Sequence, residues 1–248
     1  MRGAQDRKPG NPRVTPGLAP VFYLGAMKGL IGIAGNIGAG KTTLTDWLAR
    51  RLSWDPHYES VADNPFLQDF YGDMGRWAFH LQIYFLQSRY ADHLRLCEGE
   101  RGAVQDRTIW EDVEIFARNL YQMGHISERE WLTYYRLFHN MCQFLRKPDL
   151  LIYLRASVDT LQARIRTRGR SYEQNISPEY LQRLNLLYED WIGRIRDIPV
   201  IMVDADHLDI YSDRAKMRQL LDSVEAELAR RQLSLALGHL APPQDALR

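Results

Sequence analysis

The segment from Gly35 to Thr42 combines residue types at a spacing that suits phosphate binding. It reads GNIGAGKT and fits the pattern G-x-x-x-x-G-K-[ST] at every fixed position. Such glycines let backbone N–H groups turn towards phosphate oxygens, while the lysine reaches the β- and γ-phosphates and the hydroxyl binds Mg²⁺. The alternative is a glycine-rich turn that binds nothing. Because an apolar run precedes the motif and a helical pattern follows it, we predict a phosphate cradle formed by Gly35, Asn36, Ile37, Gly38, Ala39, Gly40, Lys41, Thr42 and Thr43.

Two carboxylates follow apolar runs further along the chain. Glu59 lies in YESV, and Asp106 lies in VQDRT with Arg107 beside it. At the carboxyl ends of parallel strands, a carboxylate can accept the proton of a hydroxyl or bind Mg²⁺, and an arginine can neutralise a phosphoryl group. Taken alone, each acidic residue is more often a solvated loop residue. Asp204 competes for the metal role on the same pattern.

Four arginines cluster in the sequence RIRTRGR, at Arg164, Arg166, Arg168 and Arg170. Arg164 and Arg168 share one helix face, and Gly169 can end that helix. Clustered arginines repel one another unless an anion or carboxylates compensate them. A solvated helix face is the ordinary interpretation, but beside a phosphate-binding motif the cluster predicts an arginine-rich lid over a triphosphate. Because GTPase switches do not need such a lid, the pattern favours a kinase.

The elements that must hold these residues alternate between apolar runs and long helical patterns, which predicts α/β architecture. We expect a P-loop NTPase-like, three-layer fold with a five-stranded parallel sheet flanked by helices. Strands are predicted at Leu30–Ala34, His57–Val61, Ala103–Gln105, Leu150–Leu154 and Val200–Val203. Helices are predicted to begin near Lys41, Arg76, Trp110, Glu128, Val158 and Pro178, and a last one follows Asp213.

Composition narrows the class of protein. The chain has 248 residues, and its 32 basic and 31 acidic residues give a net charge of +1, so no global positive field would attract nucleic acid. No apolar run approaches the roughly 18 residues of a membrane span. The two cysteines, Cys97 and Cys142, have no CxxC spacing, which argues against a disulfide framework or a zinc site. We expect a cytoplasmic protein with neither nucleic acid nor membrane as a partner.

Both ends of the chain differ from its centre. Residues 1–26 contain Pro9, Pro12, Pro16 and Pro20 and no continuous apolar region, which argues against a secretory signal or an amphipathic transit helix. We predict a disordered extension over residues 1–26, one folded domain over residues 27–238 and a flexible tail over residues 239–248. Met27 could be the start of the folded chain.

Together, these segments resemble the deoxyribonucleoside kinase family, and most closely its bacterial deoxyadenosine and deoxyguanosine kinases. The resemblance runs from about Met27 to Asp209. It lies in GNIGAGKTTL at Gly35–Leu44, ESV from Glu59, DNPFLQDFY at Asp63–Tyr71, RWAFHLQIYFLQSR at Arg76–Arg89, DRTIWEDVEIFARNLY at Asp106–Tyr121 and RIRTRGRSYEQNISPEYL at Arg164–Leu181. Two positions depart from the family: Ser60 replaces a usual proline, and Thr108 replaces a usual serine.

The resemblance implies a role for each matching residue. Glu59 matches the general base for the 5′-hydroxyl, Arg107 the arginine at the phosphoryl group and Asp106 the carboxylate near Mg²⁺. The expected catalytic residues are Glu59, Arg107 and Lys41. The matches on the substrate side are Tyr71 and Glu173 for the sugar 3′-hydroxyl, Gln82, Arg89 and Asp112 for the base, Trp77, Leu81 and Phe116 for pocket walls, Arg164, Arg168 and Arg170 for the lid, and the loop after Val203 for adenine.

The activity implied is ATP- and Mg²⁺-dependent phosphorylation of the 5′-hydroxyl of a deoxyribonucleoside in nucleotide salvage, by a homodimer. An ionised Asp112 can only accept hydrogen bonds, which argues against thymidine as the acceptor. The resemblance to the bacterial kinases favours deoxyadenosine or deoxyguanosine and leaves deoxycytidine open. One alternative is a nucleoside monophosphate kinase of the thymidylate type, whose acceptor needs a further cationic grip. The other is a nucleotide-binding regulator without turnover.

Overall fold

A computed structural model of the chain describes residues 29–58 and 64–240. Its strands are β1 (Leu30–Gly35), β2 (Asp55–His57), β3 (Ala103–Asp106), β4 (Leu150–Arg155) and β5 (Val200–Asp204). Within the described residues these strands form one parallel sheet in the order β2-β3-β1-β4-β5. The α/β class and the five-stranded parallel sheet are therefore confirmed.

Helices flank this sheet. They are α1 (Lys41–Leu52), α2 (Leu67–Gly72), α3 (Met74–Glu98), α4 (Ile109–Glu111), α5 (Arg118–Gln122), α6 (Glu128–Cys142), α7 (Val158–Arg168), α8 (Pro178–Arg194) and α9 (Arg214–Leu240). A π-helical segment, Asp112–Ala117, joins α4 to α5, and a short 3₁₀ turn, Ser171–Glu173, lies between α7 and α8. Every predicted helix start lies within two residues of an observed one, whereas α2 was not predicted.

The order in which the chain adds strands to the sheet reverses at β1. The chain adds β2 and β3 on one side of β1, and then β4 and β5 on the other. The register places Ile33 beside Asp106 and Gly35 beside Leu154. In open parallel sheets a crevice forms at such a switch point. The end of the P-loop strand and the acidic end of β3 therefore border the same crevice.

The second strand differs from its prediction. It spans Asp55–His57 and shares only His57 with the predicted strand His57–Val61. The strand begins early because Trp54 fixes the chain and the Asp55 N–H donates to the Gly102 carbonyl at 2.9 Å. Pro56 is tolerated because β2 lies at the edge of the sheet. Glu59 and Ser60 lie outside the described residues.

The predicted domain limits fall largely outside the described residues. This holds for the extension at residues 1–26 and for residues 241–248 of the predicted tail. The helix α9 continues to Leu240, two residues into the segment predicted to be a tail.

Trp54 packs where a side chain could not be added to its neighbours. The indole is 4% exposed and lies over Gly29 and Gly102, which precede β1 and β3. A Cβ atom on Gly102 would lie 2.3 Å from the Trp54 ring, and one on Gly29 would lie 2.5 Å from it. The absence of a side chain at both positions thus lets one buried indole cover the amino ends of two central strands.

Replacing Gly102 with alanine should destabilise the fold, because the new methyl group overlaps a buried and rigid ring. We expect the free energy of unfolding, measured by urea denaturation, to fall by about 1–3 kcal/mol. Gly193 in α8 is the matched control, since nothing lies within 4 Å of the position that a methyl group would take there. Gly193→Ala should leave stability unchanged or raise it by up to about 1 kcal/mol. Equal effects of both variants would contradict this account of Trp54.

Candidate active site

The P-loop backbone adopts conformations that glycine alone accepts easily. Gly38 and Gly40 have φ angles of 83° and 99°. A Cβ atom on Gly38 would also lie 2.9 Å from the Leu161 carbonyl oxygen. The loop therefore depends on glycine for both its backbone angles and its close contact with α7.

Lys41 begins α1 and is buried beneath the loop. Its ammonium donates to the carbonyl oxygens of Gly35 and Asn36 at 2.9 and 3.0 Å. These contacts hold a positive charge at the amino end of a 12-residue helix, where the helix dipole also favours an anion. The arrangement suits a polyphosphate, as the sequence motif predicts.

Asn36 faces away from this cradle. Its side-chain amide donates to the Leu181 carbonyl at 2.9 Å and to Asn185 Oδ1 at 2.8 Å, both on α8. Its own Oδ1 accepts from the Ile37 N–H at 2.7 Å. The Asn36 side chain thus fixes the loop against α8, and any phosphate contact from this residue would come from its backbone.

Thr42 and Asp106 meet at the carboxyl ends of the strands. Thr42 Oγ1 donates to Asp106 Oδ2 at 2.5 Å. The second carboxylate oxygen, Asp106 Oδ1, is buried and has no hydrogen-bond partner among the described residues. Mg²⁺ prefers oxygen ligands and is usually held by one or two carboxylates together with substrate phosphates. These two residues fit that ion, and Asp204 does not, because it is exposed and pairs with His207 at 2.9 Å.

A cavity of about 1180 Å³ runs from the P-loop to the space between α3 and the π-helical segment. Most of the predicted site residues line it: Ile37, Gly38, Ala39, Gly40, Lys41, Thr42, Thr43, Tyr71, Gln82, Asp106, Arg107, Asp112, Phe116, Arg164, Arg168, Arg170 and Glu173. Leu81 and the loop at 205–213 line it as well. Trp77, which was predicted to be a wall, packs instead against Phe66, with ring centroids 5.8 Å apart.

Arg107 adopts an unusual backbone conformation at the centre of this cavity. Its φ angle is 70°, a left-handed value that is uncommon for a residue other than glycine. The Arg107 N–H donates to the Ile33 carbonyl at 3.0 Å, and its guanidinium lies 4.2 Å from the centre of the Phe116 ring. Such strain persists where the surroundings fix a residue, and it is common at functional sites.

Arg164 ties the P-loop to the loop that follows β5. Its guanidinium donates to the Ala39 carbonyl at 2.9 Å and to the Ala205 carbonyl at 2.7 Å. Arg168 and Arg170 turn the other way and form ion pairs with the buried carboxylate of Glu173. The arginine-rich segment therefore contacts both ends of the cavity.

Aromatic rings line the same cavity as Glu173. Tyr172, which sequence reasoning did not single out, stacks on Tyr71 with centroids 5.9 Å apart and an interplanar angle of 27°. Phe70 packs edge-on against Tyr71. The carboxylate and the Tyr71 hydroxyl thus border one compartment, whose walls are largely aromatic.

The far end of the cavity is a buried polar cluster. Arg89 and Asp112 form an ion pair at 3.1 Å, with side chains only 7% and 2% exposed. Arg89 lies behind Asp112 and over the Phe85 ring, at 5.0 Å from its centroid. Gln82 is also buried, and its Oε1 has no hydrogen-bond partner among the described residues.

The π-helical turn explains how Asp112 and Phe116 reach this end. The sequence predicts an ordinary helix here, but residues 112–117 form a wider turn. Single π-turns inserted into α-helices often occur at functional sites. No residue type in this stretch signals the wider turn, so the sequence could not have revealed it.

Removing one partner of the buried ion pair should cost more stability than removing both. Arg89→Met leaves the Asp112 carboxylate buried without its cation, and we expect it to lower the free energy of unfolding by about 3–5 kcal/mol. The double variant Arg89→Met, Asp112→Ala should lose clearly less. Arg218→Met, which breaks the exposed pair Arg218–Asp222, should change stability little. Urea denaturation would measure all three, and a double variant that is the least stable would contradict the pairing.

Among the described residues, no helix is long and apolar enough to cross a membrane.

The comparisons with known proteins identify the family of the chain. The family model described as "Deoxynucleoside kinase" matches residues 31–229. The chain is 38% identical over 197 residues to the deoxyadenosine/deoxycytidine kinase of Bacillus subtilis (strain 168), covering 79% of this chain and 91% of that protein. It is 41% identical over 198 residues to the deoxyadenosine kinase of Dictyostelium discoideum, covering 79% and 78%. The structure of deoxyadenosine kinase from M. mycoides with bound dATP matches with a TM-score of 0.68 and 31% identity, over 77% of this chain and 98% of that one. The chain belongs to the deoxynucleoside kinase family.

Proposed function

We propose that the protein transfers the γ-phosphoryl group of ATP to the 5′-hydroxyl of a deoxyribonucleoside, as a step of nucleotide salvage. The observation that carries this proposal is that one cavity joins the P-loop to buried polar side chains, among them Gln82, Asp112 and Glu173, that could bind a sugar and a base. Relatives named deoxyadenosine, deoxyguanosine and deoxycytidine kinases support the same reaction.

The P-loop end suits the donor. ATP would supply the phosphoryl group, and Mg²⁺ held by Thr42 and Asp106 would offset its negative charge. Lys41 places its ammonium at the carboxyl end of β1, and Arg164 closes the side of the loop through its bonds to Ala39 and Ala205. Positive groups fixed in advance stabilise charge in the transition state without reorganisation.

Arg107 and Glu59 suit the reacting hydroxyl. The strained turn holds the Arg107 guanidinium inside the cavity, between the donor end and the Phe116 ring. Glu59 lies outside the described residues, and its proposed role as general base rests on the family resemblance. Tyr58, the residue before it, lines the cavity, as does Asp106. A carboxylate at this position would accept the 5′-hydroxyl proton as the oxygen attacks phosphorus.

The compartment formed by Tyr71, Tyr172 and Glu173 suits the sugar. We place the 3′-hydroxyl against Glu173 and Tyr71, with the aromatic rings limiting the space for a 2′-hydroxyl. Arg168 and Arg170 hold the Glu173 carboxylate in position. In this role the arginine-rich segment acts as a lid whose residues meet both substrates.

The Asp112 end suits a base that offers N–H donors. Arg89 pairs with Asp112 and keeps it in place. As an ionised carboxylate in this pair, Asp112 would only accept hydrogen bonds. Gln82 adds both a donor and an acceptor. Adenine, guanine and cytosine each carry an exocyclic amine that can donate to a carboxylate, whereas thymine has no such amine and carries a carbonyl oxygen on either side of its N3–H. These contacts argue against thymidine as the acceptor. The preference for deoxyadenosine or deoxyguanosine, with deoxycytidine as a further acceptor, rests on the resemblance to the bacterial relatives.

The acceptor end gives little support to a nucleoside monophosphate as substrate. A phosphorylated acceptor needs cationic groups to bind its phosphate. The arginines at this end are already engaged by carboxylates: Arg89 by Asp112, and Arg168 and Arg170 by Glu173.

We also propose that the protein is a homodimer, as the family resemblance implies. Exposed apolar side chains on and after α6 support the proposal that a second copy of the chain covers this face. Leu132 and Leu137 are 44% and 39% exposed, and Phe144 is 81% exposed. Apolar groups clustered at a surface often mark protein–protein contacts.

Glu59→Gln should separate catalysis from binding. The amide keeps the shape of the side chain but cannot accept the hydroxyl proton, so we expect kcat to fall by about 10²–10⁴-fold while the KM for the nucleoside changes modestly. Steady-state kinetics would measure both constants. Glu128→Gln, at an exposed position of α6, is the control and should leave kcat unchanged. A higher KM at unchanged kcat would make Glu59 a binding residue only.

The acceptor preference can be tested by measuring kcat/KM for deoxyadenosine, deoxyguanosine, deoxycytidine and thymidine in parallel with ATP and Mg²⁺. Because a mismatched buried polar edge can cost 10⁴-fold or more, about this factor should separate thymidine from the best substrate. The double variant Arg89→Met, Asp112→Ala should gain thymidine activity. Preference of the wild type for thymidine would overturn the assignment of Asp112, and no turnover of any nucleoside would overturn the proposed function.

A further inference from the structure

Glu111 is a wholly buried carboxyl group that the proposed mechanism does not use. It is 0% exposed and lies at the end of α4, four residues after Arg107. Its Oε2 accepts from the Thr108 N–H at 2.7 Å and from the Thr108 hydroxyl at 3.2 Å, which completes a capping box at the start of α4. Glu111 thereby fixes the turn that presents Arg107.

The other oxygen of the same carboxyl reaches the P-loop strand. Glu111 Oε1 lies 3.4 Å from the Gly35 N–H and 2.8 Å from the hydroxyl of Tyr188 on α8. The Tyr188 hydroxyl also lies 2.8 Å from the Gly35 carbonyl oxygen, which accepts from Lys41 as well. One small network therefore joins Glu111, Tyr188, Gly35 and Lys41.

The number of protons in this network favours a neutral Glu111. The Tyr188 hydroxyl has one proton, yet it makes short contacts with two acceptor oxygens, one from Gly35 and one from Glu111. If both contacts are hydrogen bonds, a second proton must lie between Tyr188 and Glu111. Glu111 can supply it as a neutral acid: its O–H donates to Tyr188, and the Tyr188 hydroxyl donates to the Gly35 carbonyl.

Burial favours the neutral form of Glu111, although two cations face it. Burial raises the pKa of the Glu111 carboxyl above its usual value, and the charges of Arg107 and Lys41 together with the hydrogen bonds with Thr108 and Tyr188 offset only part of that rise. Burial also raises the pKa of Tyr188 well above its usual value, so this hydroxyl keeps its own proton. Tyr153 on β4 faces the same carboxyl, and its pKa is raised too.

We propose that Tyr188 and Glu111, the latter as a neutral carboxylic acid, are positioning residues. Together they fix the P-loop strand and the turn that carries Arg107 relative to each other. The pair fixes the Gly35 carbonyl, to which the Lys41 ammonium donates a hydrogen bond. Through Thr108 it also fixes the turn that carries Arg107. This inference rests on the proposed function, because Lys41 and Arg107 are the groups that would meet the transferring phosphate.

The protonation state can be tested without turnover. A buried neutral carboxyl gives an infrared C=O stretching band that a carboxylate lacks. Wild-type protein at pH 7 should show this band, and Glu111→Gln should lose it while the protein stays folded, as circular dichroism would verify. Identical spectra of the two proteins in this region would overturn the neutral assignment.

The positioning role can be tested by the kinetics of matched variants. Glutamine can still donate to Tyr188 and accept from Thr108, so Glu111→Gln should keep kcat within about threefold, whereas Glu111→Ala should lower it by about ten- to a hundredfold through misplacement of catalytic groups. Tyr188→Phe should also lower kcat by about tenfold, with the KM for the nucleoside little changed. It remains informative even if Glu111→Ala fails to fold.

Tyr153→Phe is the matched control for Tyr188→Phe. Tyr153 likewise forms a hydrogen bond with a glutamate, since its hydroxyl donates to Glu189 at 3.1 Å, and its ring stacks on Tyr188 with centroids 5.6 Å apart. Within the described part of the chain, the Tyr153 hydroxyl forms no hydrogen bond with the P-loop. Both variants should lose similar thermal stability, and only Tyr188→Phe should lose kcat. Equal kcat in the two variants, or a kcat of Glu111→Gln as low as that of Glu111→Ala, would overturn the proposal. A wild type inactive on every nucleoside would instead refute the proposed function, while the infrared test would still stand.

Discussion

The main-chain groups of Gly35 are the point on which the donor end of the site depends. Its carbonyl oxygen accepts from Lys41 and lies 2.8 Å from the Tyr188 hydroxyl, and its N–H lies 3.4 Å from Glu111. These groups are polar and buried at the end of the central strand, and unpaired they would cost about 1–3 kcal/mol each. The partners come from α1, α4 and α8, so satisfying one residue brings three helices to the phosphate cradle.

Buried charge imposes the second constraint, at the acceptor end. Arg89 with Asp112, and Glu173 with Arg168 and Arg170, are pairs that lose hydration when buried. Ion pairs of this kind are weak sources of stability, because apolar residues of similar volume often do as well. Their effect here is orientation, because each pair fixes a buried carboxylate in one position. Under the proposed function, a neutral nucleoside would fit such a site better than an anionic acceptor.

Much of this arrangement could be predicted from the sequence, and the rest could not for physical reasons. The P-loop and four of the five strands follow from local patterns, since glycine spacing and apolar runs act over a few residues. The short edge strand β2 and the π-helical turn carry no such signal. The contact of Glu111 with Tyr188 joins residues 77 positions apart, which spacing does not reveal. The capping box at Thr108 was the one local hint, because its T-x-x-E pattern is visible in the sequence.

The arginine-rich segment is held at both ends, and two of its guanidinium groups bind the same carboxylate. The Ser157 N–H donates to Asp206, and Ser177 caps α8, which is bonded to the P-loop through Asn36. Between these fixed points, Arg168 and Arg170 bind the Glu173 carboxylate. If the proposed function holds, a phosphate on the P-loop that drew either guanidinium group towards itself would weaken the hold on Glu173, and the two ends of the cavity would then be coupled electrostatically.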